Sequence, residues 1–206
     1  MSEEEPPLVA VAIDARVAEE HPGLRVWTTR IAAGTARTPP ELRDRLRLLA
    51  DRFRGPEAIA MRARPVPWAY RVLYRQLGID PDVVRTPIEE LVLERLLTGG
   101  FATRGLPEDA LALATLETGV PVYAVDADRL EGALELAPDA DGRLVLADSA
   151  GTVAVLFGSP EPDRAPSRRT RALALLAVQA PGVDELFVEE AVWTAVAATR
   201  TIDIPS

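Results

Sequence analysis

The sequence predicts an α+β fold, in which helices pack against one central, largely antiparallel β-sheet in a single domain. Helices and strands occur in groups along the chain and do not alternate strictly, which favours α+β over a doubly wound α/β fold. The chain has 206 residues, of which 48 % are hydrophobic, and this is enough to build a sizeable core.

The N-terminal part predicts a tail followed by two strands. Residues 1–7, MSEEEPP, are acidic and polar, so we expect a disordered tail and no signal peptide. Residues 8–206 then form the single domain. The short β-branched runs at 8–15 and 24–34 are typical of strands, and His21-Pro22-Gly23 between them is typical of a turn.

Four helical patterns follow. The first begins at Pro40, carries its apolar residues on one face and is expected to end at Gly55-Pro56, and the second covers 67–77. The third has the clearest start in the chain, because Thr86, Pro87 and Glu89 together form a Thr-x-x-Glu capping box with proline at the first helical position. The fourth covers 107–118 and is ended by Gly119.

The C-terminal part predicts mainly strands. Short apolar runs at 122–126, 133–137, 143–148 and 152–157 are separated by turn residues. A proline-rich loop at 158–169 precedes a longer strand at 170–178, and a last helix is expected at 184–199.

The composition limits the classes of function. A net charge of −9 argues against a general nucleic-acid binder, although it leaves room for a local basic patch. All 23 basic residues are arginine, which is the ordinary result of a GC-rich genome. The sequence has no cysteine, which fits a cytoplasmic location, and no apolar run reaches the roughly 18 residues of a membrane span, so we expect no membrane partner.

No motif of catalysis or cofactor binding is present. The only histidine is His21, no serine lies in a Gly-x-Ser-x-Gly setting, and the phosphate-binding Gly-x-x-x-x-Gly-Lys loop is excluded because there is no lysine. We therefore expect neither a cofactor nor a metal. Trp68, Tyr70 and Tyr74 lie among several arginines, a pattern that fits either core packing or an RNA surface.

Four segments occur in an order that resembles the B3/B4 tRNA-binding domain family. They are HPGLRVWTTRIAAG, VPWAYRVLYRQLGID, RTPIE at 85–89 and LETGVPVYAVD. The family includes the editing domain of the bacterial phenylalanyl-tRNA synthetase beta subunit and free-standing proteins, and this chain is more similar to the latter. The similarity covers roughly residues 20–180. It implies a central sheet with packed helices and a pocket near the strand after the Gly-x-Pro turn.

The resemblance holds at some positions and fails at others. The family typically reads Val-Asp-x-x-Asn-x-x-Ser-Leu before its Gly-x-Pro turn. This sequence matches the family at Asp109, Leu116, Gly119, Pro121 and Asp126, and Thr115 keeps the hydroxyl of the family's serine. Ala112 replaces the asparagine, and Tyr123 replaces the histidine of editing members. Their late acidic residue falls near Leu176. These departures put ester hydrolysis in doubt.

We therefore expect a binding domain for an aminoacyl-tRNA end, an amino acid or a related small ligand. The alternative is a trans-editing hydrolase, an aminoacyl-tRNA deacylase, and a third option is a divergent ligand. The ligand-binding candidates are Thr115, Tyr123 and Asp126, and the candidate RNA-contact arginines are Arg62, Arg64, Arg71 and Arg85. A basic rim built by these arginines near Tyr123 would indicate that the domain binds RNA. An acidic rim would indicate that it binds a small ligand.

Overall fold

The computed structural model describes residues 7–200, so all but one residue of the expected tail at 1–7 lies outside the described residues. The helices are α1 (Ala15–Glu20), α2 (Pro40–Arg52), α3 (Gly55–Met61), α4 (Pro65–Gln76), α5 (Pro87–Thr98), α6 (Glu108–Thr118) and α7 (Glu185–Arg200). The strands are β1 (Val9–Ala10), β2 (Ala12–Ile13), β3 (Arg25–Ala32), β4 (Val122–Asp126), β5 (Glu135–Pro138), β6 (Leu144–Asp148), β7 (Gly151–Val155) and β8 (Ala172–Gln179).

The strands form two four-stranded sheets, with the orders β1-β3-β8-β4 and β2-β5-β6-β7. Among the strands of residues 7–200, only β2 and β5 pair in parallel. The α+β class and the largely antiparallel pairing are confirmed, but the second sheet was not predicted. It arises because the expected strand at 8–15 is interrupted at Val11, so that β1 pairs with β3 and β2 pairs with β5.

Two short helices were also missed. The carboxylate of Asp14 accepts hydrogen bonds from the backbone N–H groups of Arg16 (2.9 Å) and Val17 (3.4 Å), and this cap starts α1 inside the expected strand. The helix from Pro40 ends at Arg52, shortly before Gly55-Pro56, and these two residues begin α3, since proline is tolerated in the first helical turn.

Two apolar clusters stabilise the fold. One lies beneath the sheets and includes Tyr70 and Leu73 of α4, and the other lies among α2, α3, α5 and α6. Helix α6 contributes Ala114 to the first cluster and Leu113 to the second. The helical part and the sheets therefore belong to one folded unit, as predicted. Across residues 7–200, no helix has the length and hydropathy that crossing a bilayer requires.

Candidate ligand pocket at strand β4

A tight turn connects α6 to β4. Gly119 has φ 83°, and a Cβ atom at this position would lie 3.1 Å from Cγ1 of Val66 on α4. Glycine is therefore required both by the left-handed backbone and by the close approach of α4. The chain then passes Pro121 and enters β4, whose residues are mostly buried.

Tyr123 lies on β4 directly opposite Leu176 on β8. The two positions at which the resemblance implies a histidine and an acidic residue are thus neighbours across one strand pair. The hydroxyl oxygen of Tyr123 is buried and has no hydrogen-bond partner within residues 7–200. A buried donor without an acceptor is uncommon in a folded protein.

A small apolar cavity adjoins the Tyr123 side chain. Its volume is about 10 Å³, and Leu176, Val178 and Phe157 contribute to its lining. A cavity of roughly 10–15 Å³ holds one water molecule at most. A larger ligand therefore requires one of the lining side chains to move.

Phe157 closes this cavity from the turn after β7. Its φ is 64°, a left-handed value that is uncommon for a bulky residue. Its ring lies 6.2 Å from the Tyr70 ring, edge to face, and 4.8 Å from the Tyr74 ring, measured between centroids. Phe157 shares this irregular segment after β7 with Leu156 and Gly158, which also line the cavity.

The hydroxyl of Tyr123 remains a donor at neutral pH. Burial raises the pKa of this phenol well above its ordinary value, and the nearby Tyr74, Tyr70 and Glu90 raise it further. The neighbouring Tyr70 differs, because its hydroxyl donates to the carbonyl oxygen of Val178 at 2.5 Å. Both hydroxyl groups are therefore buried, but within the described residues only that of Tyr70 is hydrogen-bonded.

The other two ligand-binding candidates do not line this cavity. Thr115 is buried within α6. The Asp126 carboxylate accepts hydrogen bonds from the Thr170 hydroxyl (2.6 Å) and from the backbone N–H of Asp128 (3.1 Å). Asp126 thus stabilises the turn of 3-10 helix after β4, and Tyr123 alone of the three candidates reaches the cavity.

Two of the candidate RNA-contact arginines, Arg62 and Arg71, form ion pairs with carboxylates. Arg71 is buried, and its guanidinium lies 2.6 Å from both the Glu89 and the Asp82 carboxylates. Arg62 lies 2.9 Å from Glu89. These contacts stabilise the packing of α4 and α5, so the buried Arg71 is not available as a phosphate contact and Arg62 is partly neutralised by Glu89.

The remaining two arginines are more open. Arg64 is exposed and Arg85 is half-buried, and neither forms an ion pair within the part of the chain that the structure describes. The four arginines therefore do not form a continuous basic rim. Glu90 is close enough to Tyr123 to raise the pKa of its phenol, which adds negative charge on this side of the molecule.

The surroundings of Tyr123 offer little for hydrolysis. Leu176 is buried, and the cavity lining consists of apolar side chains apart from Tyr123 itself. No group of three or more potential metal ligands occurs among residues 7–200. The arrangement can donate one hydrogen bond and enclose an apolar group.

Comparison with known proteins adds no assignment. No protein-family model matches the sequence, and the search of curated proteins finds no match.

Proposed function

We propose that this chain is a non-hydrolytic binding domain of the B3/B4 type, which holds an aminoacyl group beside Tyr123. The group is a free amino acid or the end of an aminoacyl-tRNA, and the setting is the cytoplasm. The observation that carries the proposal is the buried Tyr123 hydroxyl, which has no acceptor among the residues that the structure describes. An unpaired buried donor costs roughly 1–3 kcal/mol, so a ligand oxygen that accepts a hydrogen bond from this hydroxyl recovers that free energy.

Binding without hydrolysis is favoured over trans-editing by the chemistry of the lining. Ester hydrolysis needs an oriented water molecule and donors placed for the developing oxyanion. Only the Tyr123 hydroxyl is available as a donor at this cavity, and the positions expected to be catalytic carry Ala112, Tyr123 and Leu176. The carboxylate of Asp126 is already hydrogen-bonded to Thr170.

The charges near the pocket favour recognition of the aminoacyl part over the RNA part. Arg62 and Arg71 are neutralised by Glu89 and Asp82, and Glu90 lies on the same side of the molecule. Apolar lining residues such as Leu176 and Phe157 suit an apolar amino-acid side chain. Entry of that side chain requires a lining side chain such as Phe157 to move.

A deacylation assay across a panel of mischarged tRNAs, run beside filter binding with the same tRNAs, tests the proposal. We expect charged tRNA or its free amino acid to be bound while the ester decays at its spontaneous rate. Multiple-turnover release of an amino acid from any tRNA of the panel would instead establish the trans-editing hydrolase. Absence of binding to every charged tRNA and amino acid would exclude both functions.

A further inference from the structure

A second and larger cleft lies between the loop after β3 and the loop before α6. Its volume is about 690 Å³, which is within the range of roughly 300–1,000 Å³ typical of small-molecule sites. Its polar lining consists of Arg37, Arg43, Arg104, Arg168, Thr35, Thr38, Thr103 and Glu108. Three separate loops and the first turns of α2 and α6 supply these side chains.

The cleft concentrates positive charge in an acidic protein. The lining contains four arginines and one carboxylate, that of Glu108, whereas the whole chain has a net charge of −9. Arg37, Arg43 and Arg168 are exposed and form no ion pair within residues 7–200. Only Arg104 has a carboxylate partner, Glu94, at 2.6 Å. Three guanidinium groups at the cleft therefore have no ion-pair partner within residues 7–200, and one of them, that of Arg43, donates a hydrogen bond to the carbonyl oxygen of Thr38 at 3.2 Å.

A buried aspartate fixes the two main walls of the cleft. The Asp109 carboxylate accepts a hydrogen bond from the Thr38 hydroxyl in one loop. It also accepts hydrogen bonds from the backbone N–H groups of Arg104 (2.9 Å) and Gly105 (3.2 Å) in the other loop. The backbones of Ala36 and Leu106 exchange two further hydrogen bonds between the loops. The walls are thus held in place without a ligand.

Two glycines bring the backbones of these loops close together. Gly105 has φ 108°, and a Cβ atom there would lie 2.9 Å from the carbonyl oxygen of Ala36. A Cβ atom on Gly34 would lie 2.5 Å from the carbonyl oxygen of Thr170, which belongs to the loop that carries Arg168. Both contacts exclude any larger residue, so the geometry of the cleft depends on these glycines.

We propose that this cleft binds a small ligand of nucleotide size that carries phosphate groups. The planar guanidinium of arginine donates paired hydrogen bonds to phosphate oxygens, and the threonine hydroxyls at the rim are further donors. An extended RNA is disfavoured because the arginines converge on one cleft and the protein as a whole is acidic. The inference is independent of the proposed function at Tyr123.

Calorimetric titration of the full chain tests this site, with inorganic pyrophosphate and adenosine triphosphate as probes at constant ionic strength. The double variant Arg37→Gln/Arg168→Gln removes two exposed guanidinium groups from the cleft. The double variant Arg25→Gln/Arg129→Gln removes the same charge from exposed positions that do not line it. We expect the first variant to bind at least one probe roughly tenfold more weakly, and the second to stay within about twofold of the parent protein.

Three results would overturn the proposal. The first is no binding of either probe to the parent protein. The second is an equal loss of affinity in both double variants, which would indicate general attraction between charges. The third is binding of a short single-stranded RNA that depends on Arg37 and Arg168 while neither small probe binds. Thermal unfolding of each variant establishes that the folded state is retained.

Discussion

The guanidinium of Arg71 lies 2.6 Å from the carboxylate of Glu89, and both side chains are buried between α4 and α5. The second oxygen of the same carboxylate accepts hydrogen bonds from the backbone N–H of Thr86 (3.2 Å) and from its hydroxyl (3.1 Å). Glu89 therefore neutralises a buried cation and caps α5 at once. This arrangement explains why an arginine expected to contact RNA is found inside the protein.

We predict that Glu89→Gln strongly destabilises the fold. The substitution removes the buried one of the two carboxylates that lie 2.6 Å from the Arg71 guanidinium. Removal of one partner of a buried pair costs about 3–5 kcal/mol, and we expect the lower end of this range because the exposed Asp82 remains. Urea unfolding measures the change. Asp44→Asn is the matched control, because Asp44 pairs with Arg47 at the surface and its loss should cost less than about 1 kcal/mol. Equal effects of the two variants would contradict the assignment.

We predict that Thr86→Ala lowers the free energy of unfolding by about 1 kcal/mol, since the N-cap hydroxyl of α5 is lost. Thr86→Ser keeps this hydroxyl and should cost less. The thermal midpoint of each variant is the measurement. An unchanged midpoint for Thr86→Ala would mean that the capping box contributes nothing to stability.

We predict different behaviour of two tyrosines whose hydroxyl groups are buried, Tyr70 and Tyr123. Tyr70→Phe removes the hydrogen bond to the Val178 carbonyl and should cost about 1–2 kcal/mol. Tyr123→Phe removes a hydroxyl that has no partner within the described residues, so the free energy of unfolding should stay the same or rise slightly. Equilibrium unfolding in urea compares them. A loss at Tyr123 as large as that at Tyr70 would show that its hydroxyl is already hydrogen-bonded in the protein.

We predict an acid-sensitive contribution from Asp148, whose side chain is fully buried 3.0 Å from Arg164. Burial alone would raise the pKa of this carboxyl, but hydrogen bonds from the Glu131 N–H, from Arg164 and from the Ala150 N–H outweigh burial and lower it. A lowered folded-state pKa gives stability that is present above the ordinary value of about 4 and is lost as the pH falls through the folded-state pKa.

Asp148→Asn should therefore cost on the order of 3 kcal/mol at pH 7 and progressively less in acid. Unfolding of both proteins between neutral pH and pH 2 measures the difference. A difference that stays constant over this range would contradict the ionised pair.

Local signals in the sequence predicted the five longer helices but missed the short helices α1 and α3. The spacing of Thr86, Pro87 and Glu89 located the start of α5, and Gly119 located the end of α6, because caps depend on neighbouring residues alone. Helix α1 was missed because its cap, Asp14, follows a β-branched run that favours a strand. Patterns of hydrophobicity show that residues pair in a sheet but not how many sheets result.

The candidate sites were harder to predict, since they depend on contacts between distant parts of the chain. An exposed and a buried arginine are indistinguishable in sequence, and Arg71 was placed among the RNA contacts because Glu89 lies 18 positions away. Nothing local marks Phe157 as the closing residue beside Tyr123. The arginines of the second cleft come from three separate segments of the chain, around positions 37–43, 104 and 168, so no motif connects them.

Filter binding of a charged tRNA and the same uncharged tRNA, each to the parent protein and to Tyr123→Phe, tests the central claim most directly. The claim is that the Tyr123 hydroxyl donates a hydrogen bond to the aminoacyl group. We expect the parent protein to prefer the charged form, and Tyr123→Phe to lose this preference while its thermal midpoint is retained. A preference that survives in Tyr123→Phe, or a parent protein that binds both forms equally, would contradict the claim.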